Sequence, residues 1–246
     1  VDMTPLTLLS HLKQGKVIQY KLTLIEGWTF AQMQQHLDAA KHLKHLFPKI
    51  KPAALLKKLK TSWPSVEGIF FPTTYSYHGA TSDLDCYRAA LKKMLALLEK
   101  YWPSRDPSLP YQKLYDALIV ASLIERESNY PDEYSKIASV MVNRLKAGMR
   151  LQIDASVRYG LNRPSGRLTR KDLKTKTPYN TYLMTGLPPT PIAMPSAPAV
   201  FAALHPQQSQ FFYYVLNING RHTFRVHFKQ HQKAAQDYRN HRDQLS

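Results

Sequence analysis

The chain has 246 residues and a formal net charge of +17, from 34 Lys and Arg against 17 Asp and Glu. Its 43% hydrophobic residues supply enough apolar surface for a core, which excludes a disordered chain, and its 9 Gly and 17 Pro follow no repeat, which excludes collagen-like and low-complexity classes. The charge leaves several partners open, because nucleic acid, acidic lipid headgroups and anionic cell-wall polymers would all be attracted by it. A surface that only confers solubility is the alternative.

Cysteine usage and apolar runs limit the class of protein further. Cys86 is the single cysteine, so the chain can form neither an internal disulfide nor a zinc site built on cysteines. The longest apolar run is 117–124, far shorter than the ~20 residues that span a membrane. The chain begins at Val1, and we expect it to be a fragment, so the lack of an anchor or export signal does not describe the natural protein.

The first hundred residues are predicted to form a mixed, mainly helical region. Tyr20, Leu22 and Leu24 alternate with polar residues as in a strand, and Thr29 has the side chain of a helix N-cap. The predicted elements are a helix over 5–14, a strand within 17–25, helices over about 30–46 and 52–60, a loop over 62–79, and a helix from Asp83 or Asp85 to about Trp102.

The second part begins after 103–110, where three prolines indicate a linker and predict a subdomain boundary. Apolar residues on all sides of 117–124 predict a helix that is buried on most faces. The predicted elements are helices over about 111–129, 132–147, 197–204 and 229–242, mostly loop and short strand from 151 to about 196, and strands over 211–217 and 222–228 joined by a turn. With no βαβ alternation and no glycine-rich phosphate loop, the pattern predicts an α+β fold.

Two of the 17 acidic residues, Glu125 and Glu127, stand at the end of the most apolar helix. A carboxylic acid beside apolar walls has a raised pKa, which suits a general acid. Helical spacing places the two about 200° apart, so they cannot act as a close pair. Glu127 lies over Leu123 and Ile124 and is the better acid of the two. A frayed, solvated helix end with two ordinary glutamates is the alternative.

Polar and aromatic residues after residue 140 form uncommon strings. Such residues suit a carbohydrate groove, because flat rings stack on sugar faces and amides bond hydroxyl and acetamido groups. A tight loop that satisfies its own backbone is the alternative. The strings are NRL at 143–145, LQID at 151–154, where we expect Gln152 and Asp154 on one side of an extended segment, PYNTY at 178–182 and GLPPTPI at 186–192.

Other chemistries have weaker support. The closely spaced histidines have no carboxylate partners at ligand spacing, so we predict neither a metal nor another cofactor. No G-x-S-x-G string occurs. The basic runs 41–60 and 170–176 would suit a phosphate backbone, but no nucleic-acid-binding motif accompanies them.

Taken together, the strings resemble a known family. ASLIERES at 121–128, IASVMVNRLKAGMRLQIDASVRYG at 137–160, TPYNTYLMTGLPPTPIAMP at 177–195 and HTF at 222–224 closely resemble the YceG-like endolytic murein transglycosylases, the MltG family. IEGWTF at 25–30 and EGIFFPTTYSY at 67–77 resemble it as well, so the resemblance covers nearly the whole chain.

The resemblance implies an architecture and a location. The family is anchored in the bacterial inner membrane by one N-terminal helix and faces the periplasm, or the outside in Gram-positive bacteria, and its catalytic part follows a LysM-like module. By this resemblance we expect a partial LysM-like module over 1–25, a helical and mixed subdomain over 26–108 and a mixed α+β catalytic domain over 109–246. The anchor would be absent from this chain.

The resemblance also implies an activity. The family cuts peptidoglycan strands internally, between N-acetylmuramic acid (MurNAc) and N-acetylglucosamine (GlcNAc), and leaves a 1,6-anhydro end instead of adding water. Its catalytic glutamate falls on Glu127, which the apolar neighbours also favour. Glu127 would protonate the bridging oxygen as a general acid and then, as a base, take the proton of the attacking C6 hydroxyl.

The remaining polar residues are expected to position the substrate, and they are Glu125, Asn143, Gln152, Asp154, Tyr179, Asn180 and Tyr182. Glycan strands are the expected partner, with cell-wall synthases a further one by family, and nucleic acid is not expected. The chain departs from the family where Thr73 replaces Asp, Ser128 replaces Thr, and Ile153 and Ala155 stand where a hydroxyl and a proline are common. A non-catalytic peptidoglycan-binding scaffold and a nucleic-acid-binding protein stay open as alternatives.

Overall fold

The computed structural model describes residues 18–163 and 165–244, with side chains up to residue 240. In chain order the described elements are β1 (Tyr20–Thr23), α1 (Phe30–Asp38), α2 (Pro52–Leu59), β2 (Thr74–Tyr77), α3 (Asp83–Tyr101), α4 (Leu114–Glu127), α5 (Tyr134–Lys146), α6 (Asp154–Gly160), α7 (Arg170–Lys174), α8 (Ala197–Leu204), β3 (Tyr213–Leu216), β4 (His222–Arg225) and α9 (Phe228–Gln244). Short 3₁₀ turns at Trp102–Ser104 and Pro131–Glu133 follow α3 and precede α5.

The N-terminal sheet pairs β1 with β2 in antiparallel register, Tyr20 opposite Tyr77. The predicted strand within 17–25 is confirmed over Tyr20–Thr23, whereas β2 lies inside the predicted loop 62–79. Its four residues alternate exposed and buried, which is too short a pattern to separate from a loop by sequence. The predicted helix over 5–14 lies outside the described residues, as does most of the predicted LysM-like module.

Helix α1 begins where Thr29 predicts it, because the Thr29 side chain and Gln32 form a reciprocal capping box. It ends at Asp38, so the prediction that it runs to about residue 46 is wrong. The chain after it unwinds to dock against the start of α3. Lys44 N donates to Thr81 O at 2.8 Å and Phe47 N donates to the Asp83 carboxylate at 2.7 Å. These tertiary contacts override helix propensity.

The second half is built around α4, whose residues from Ala117 to Ile124 are all buried, as predicted. Helix α8 packs along α4 and also against α5. The short residues of α8, APAVFAAL, let it approach closely, and Ser196 caps its first turn. Helix α4 therefore carries its last residues, Glu125 to Glu127, to the edge of the core.

The segment 151–196 contains two short helices and, among its described residues, no strand, where mostly loop and short strand were predicted. Asp154 is the first residue of α6, and Gln152 has a left-handed φ of 52°. The prediction that these two side chains share one side of an extended segment is therefore wrong. The backbone turns at Gln152 because its N–H and that of Ile153 bond to Thr181, one to the carbonyl and one to the hydroxyl.

The C-terminal region contains the predicted hairpin, in which β3 and β4 pair antiparallel with Tyr214 opposite Phe224, followed by α9. A continuous buried core joins residues from Leu22 to Leu204. The mixture of helix and small antiparallel sheets confirms an α+β fold, while the boundaries at 25 and 108 stay predictions. None of the helices in the described part of the chain is long and apolar enough to cross a membrane.

Candidate active site

Glu127 is the last residue of α4, and its carboxyl group is crowded by protein although the residue keeps some exposure to solvent. Loss of hydration and, to a smaller extent, the negative charge of Asp154 raise the pKa of this carboxyl, and the net shift is from about 4.5 to about 7. A hydrogen bond from Tyr214 and the positive charges of Arg158 and Arg144 act in the opposite direction. The result is a carboxyl group that can hold or release a proton near neutral pH.

Tyr214 is the direct partner of Glu127, since its hydroxyl donates to Glu127 Oε2 at 2.8 Å. Tyr214 was not predicted as a site residue. It lies 87 positions further along the chain, and the sequence indicated only that the aromatic run 211–217 would form a strand. Burial and the nearby carboxylate raise the pKa of Tyr214 well above its ordinary value, so it stays a hydrogen-bond donor.

Two consecutive residues of α5 hold the strand of Tyr214 in place. Asn143 Nδ2 donates to the carbonyls of Ser209 and Phe211, at 3.0 and 2.9 Å. Arg144 is buried, and its guanidinium donates to Phe212 O and Leu151 O, both at 2.7 Å. The Asn143 amide nitrogen therefore bonds backbone carbonyls of the segment before β3. Through this group, Asn143 positions the strand that carries Tyr214.

Asp154 and Tyr182 form the second polar pair at the site. Tyr182 donates to Asp154 Oδ1 at 2.7 Å, and Arg158 lies 3.7 Å from Asp154 Oδ2, one helical turn further on. Burial and the Asp154 charge raise the pKa of Tyr182. Two of the residues predicted to position substrate are therefore brought together beside Glu127.

Three other residues predicted to position substrate lie outside this Asp154–Tyr182 pair. They are Gln152, Asn180 and Tyr179. The Gln152 side chain is exposed. Asn180 is buried and donates to the carbonyls of Leu173 and Thr175, so it shapes the loop instead of reaching the surface. The Tyr179 hydroxyl lies 2.9 Å from the Thr190 hydroxyl.

Glu125 faces away from Glu127, as the helical spacing predicts. Its Oε2 accepts hydrogen bonds from the backbone N–H and the hydroxyl of Ser196, at 2.9 and 2.5 Å. Burial raises the pKa of Glu125, while these two bonds favour its charged form. The carboxylate is placed at the N-terminus of α8, where a negative charge is favourable.

A buried pair beside Tyr214 was also missed. His222 Nδ1 and Glu133 Oε2 lie 2.7 Å apart, and Ser128 donates to the same oxygen at 2.9 Å. The His222 ring meets the Tyr214 ring edge-on, with centroids 5.2 Å apart. The pair therefore ties the start of β4 to the chain just after Glu127. Only the HTF string at 222–224 indicated that His222 mattered.

A cleft of about 700 Å³ opens next to this site, and we call it the arginine cleft. Its walls come from both halves of the chain, an arrangement typical of ligand sites. Arg158 belongs to the cleft and also acts on Glu127, so the two features adjoin. The residues that line it are Gly27, Thr29, Ala31, Gln32, Glu67, Arg126, Ala155, Arg158, Tyr159, Gly160, Asn162, Arg163, Tyr179 and Ile192.

Glu67 forms part of the lining of the arginine cleft and is buried. Its carboxyl accepts from Phe30 N at 2.8 Å and from the Tyr159 hydroxyl at 3.0 Å. Burial raises its pKa from about 4.5 to about 7, against the opposing effect of these hydrogen bonds. Among the described residues, no three His, Cys, Asp or Glu side chains group as they would around a metal ion.

Comparison with known proteins gives consistent similarities. Residues 1–237 match the YceG-like family. The chain is 32% identical over 236 residues to an endolytic murein transglycosylase of Bacillus subtilis (strain 168), covering 89% of this chain and 65% of the relative. It is 26% identical over 253 residues to a protein of the same name from Streptococcus pneumoniae, covering 88% of this chain and 45% of that one.

A crystal structure of a YceG-like protein from Listeria monocytogenes superposes with a TM-score of 0.69 at 27% identity. The superposition covers 92% of this chain and 80% of the other. The chain thus spans 65% and 45% of the length of the two sequence relatives and most of the solved structure.

Proposed function

The chain belongs to the YceG-like family, and from this premise we propose that it is an endolytic murein transglycosylase that cleaves the bond between MurNAc and GlcNAc in peptidoglycan. The observation that carries the proposal is Glu127, whose pKa is raised to about 7 by burial at the end of α4. The relatives' shared name supports the same activity.

The chemistry begins with proton transfer. A glycosidic bond breaks when its bridging oxygen is protonated, and near neutral pH about half of the Glu127 side chains would carry the required proton. As the bond breaks, Glu127 becomes a carboxylate. The Tyr214 hydroxyl at 2.8 Å stabilises that charged form by hydrogen bonding.

The second step returns the proton. The C6 hydroxyl of MurNAc attacks its own C1 and forms the 1,6-anhydro ring, while its proton passes to the Glu127 carboxylate. Acid and base are then the same group, and no bound water is consumed. We propose that Asp154, Tyr182 and the exposed Gln152 contact the sugars at this step, and that Asn143, Asn180 and Glu125 position the elements that carry the site.

Hydrolysis of the same bond is a second candidate, because Asp154 supplies another carboxylate near Glu127. Hydrolases that cut glycosidic bonds generally use two carboxyl groups. Against this, Asp154 accepts from Tyr182 and lies beside Arg158, which restrains its role as a free base. The two products differ by one water, so mass spectrometry distinguishes them directly.

We further propose that the protein works at the outer face of the inner membrane, held there by an N-terminal anchor, and that cell-wall synthases supply its glycan strands. The net charge of +17 suits work beside anionic lipids and acidic wall peptides.

The test is the release of muropeptides from purified sacculi and from uncross-linked glycan strands, read by mass spectrometry. Wild-type protein is expected to release products with 1,6-anhydroMurNAc ends. Glu127→Gln should reduce release by at least 10³-fold, because an amide of similar shape cannot donate the proton.

Two matched variants complete the experiment. Glu125→Gln lies two positions away and is expected to lose far less activity, through weaker support of α8, and Glu99→Gln on the exposed face of α3 should lose none. Full release by Glu127→Gln would remove Glu127 from its role. Reducing-end products from the wild type would favour hydrolysis, and glycan binding without cleavage would favour a scaffold.

A further inference from the structure

The arginine cleft has a charge that the cleavage reaction does not use. Three arginines line it, and Glu67 is its single acidic lining residue. Arg158 acts on Glu127 and pairs with Asp154, so the charge left outside the site is that of Arg126 and Arg163. The Glu67 carboxyl is turned to Phe30 N and the Tyr159 hydroxyl, so its oxygens are occupied within the protein. The cleft is therefore complementary to an anion.

The arginines keep hydrogen-bonding capacity. Arg126 donates one bond, from Nη1 to Gly27 O at 3.3 Å. Arg163 forms an ion pair with Asp172, from Nη1 to Oδ2 at 3.0 Å, which offsets part of its charge but uses one of its N–H groups. A guanidinium has five N–H donors, and the contacts in the described part of the chain account for one of them in each residue. The remaining donors match the two oxygens of a carboxylate, which arginine binds in a bidentate manner.

The other polar groups of the cleft are largely engaged already. Thr29 and Gln32 bond each other in the capping box of α1, and Tyr179 bonds Thr190. The Tyr159 and Tyr179 rings meet edge-on with centroids 4.8 Å apart and present an apolar wall. An arginine-lined cleft with such a wall fits a short acidic peptide better than it fits a neutral sugar.

We propose that the arginine cleft is a subsite for the acidic peptide stem of the MurNAc residue next to the cleaved bond, with Arg126 and Arg163 binding its carboxylates. This inference rests on the proposed function, because a stem peptide is part of that substrate. The position supports it: Arg126 directly precedes Glu127 in the chain, and a stem is attached to the same sugar whose C1 the reaction attacks.

The test measures binding instead of turnover, on the Glu127→Gln background, so that it does not depend on cleavage. The probes are two soluble muropeptides, disaccharide-tetrapeptides with the same sequence, whose stem carboxylates are either free or amidated. Amidation removes charge with little change of shape. Calorimetric titration should show the acidic probe bound at least tenfold more tightly than the amidated one.

Adding Arg126→Gln and Arg163→Gln should abolish that preference while affinity for the amidated probe changes less than twofold. The matched control is Arg88→Gln with Lys92→Gln, which removes the same two charges from the exposed side of α3. Equal binding of both probes by the parent protein, or equal losses in the arginine and control variants, would overturn the inference. Neither result touches the proposed function, whose failure would appear as absent muropeptide release by the wild type.

Discussion

At the scale of single residues, the pKa of Glu127 is governed by groups that act in opposite directions. Burial and, to a smaller extent, the Asp154 charge raise the pKa, the Tyr214 hydrogen bond lowers it, and the net value is about 7. For a general acid, kcat/KM falls when the acid loses its proton. We therefore expect activity to decline about tenfold per pH unit above a pKa near 7.

Changing Tyr214 or Asp154 should shift the alkaline limb of the kcat/KM profile, that is, the decline in activity at high pH. The two changes should shift it in opposite directions. Tyr214→Phe removes a donor that stabilises the carboxylate, so the pKa of Glu127 rises and the limb shifts to higher pH. Asp154→Asn removes a like charge, so the pKa falls and the limb shifts to lower pH. Shifts on the order of 0.5–1 pH unit are expected in kcat/KM profiles. Two shifts of the same sign would show that another group controls the limb.

A site residue could be predicted from the sequence when the groups that define its environment lie close to it along the chain. Glu127 was predictable because its apolar neighbours precede it within one helix. Tyr214 was not, because its contact spans 87 positions and no local pattern encodes that pairing. Asp154 and Tyr182 were predicted as separate polar residues, whereas their hydrogen bond depends on a turn at Gln152 that sequence reasoning took for an extended segment.

At the scale of elements, the loop that begins at Glu67 packs directly on the proline loop at 186–192. Gly68 has a φ of 72°, and a Cβ placed there would lie 2.4 Å from Pro191 Cβ and 2.8 Å from Ala193 O. The proline loop is fixed from its other side, since Ile192 N donates to Ser122 on α4 at 3.0 Å. The loop at Glu67 and the proline loop at 186–192 are far apart in sequence but therefore form one rigid contact.

Gly68→Ala should accordingly destabilise the protein, because the new methyl group must displace backbone and also sits at a strained φ. We expect a loss of roughly 1–3 kcal/mol in the free energy of unfolding, measured by denaturant titration. Gly79→Ala is the control, since a Cβ there meets no atom within 4 Å. Similar stabilities of the two variants would contradict the close contact.

The elements themselves were predictable where local signals were strong. The Thr29 and Ser82 capping boxes begin α1 and α3 at the predicted places, and Pro52 begins α2. The end of α1 was not predictable, because residues beyond Asp38 are good helix formers in their own right. They leave the helix because Lys44 bonds Thr81 and Phe47 bonds Asp83, 37 and 36 positions further along the chain.

At the scale of the whole molecule, Glu67 joins the two halves through its bonds to Phe30 N and Tyr159. Its pKa rises from about 4.5 in the unfolded chain to about 7 in the fold. The folded state therefore holds this proton more tightly, and the stability that Glu67 contributes is present below about pH 4.5 and is lost as the pH rises towards 7. Glu127 contributes with the same sign.

Glu67→Gln should remove this pH dependence while keeping an acceptor for Phe30 N. Relative to wild type, the variant is expected to gain up to about 3 kcal/mol in unfolding free energy between pH 4.5 and pH 8. Denaturant titrations of both proteins across this range provide the measurement. Because Glu127 is present in both, its effect cancels, and parallel curves would refute the raised pKa of Glu67.

The large sequence separation of these contacts also affects the order in which parts of the protein fold. Glu127 meets Tyr214 across 87 positions, and Glu67 meets Tyr159 across 92. Contacts of such separation form late in folding, and a chain that emerges from its N-terminus completes them last. Until the hairpin of Tyr214 has folded, the Glu127 carboxyl would lack its hydrogen-bond donor. On the proposed function, a newly made chain would lack a complete site until its last quarter has folded. Proteolytic cleavage within the hairpin would disrupt the site without altering Glu127.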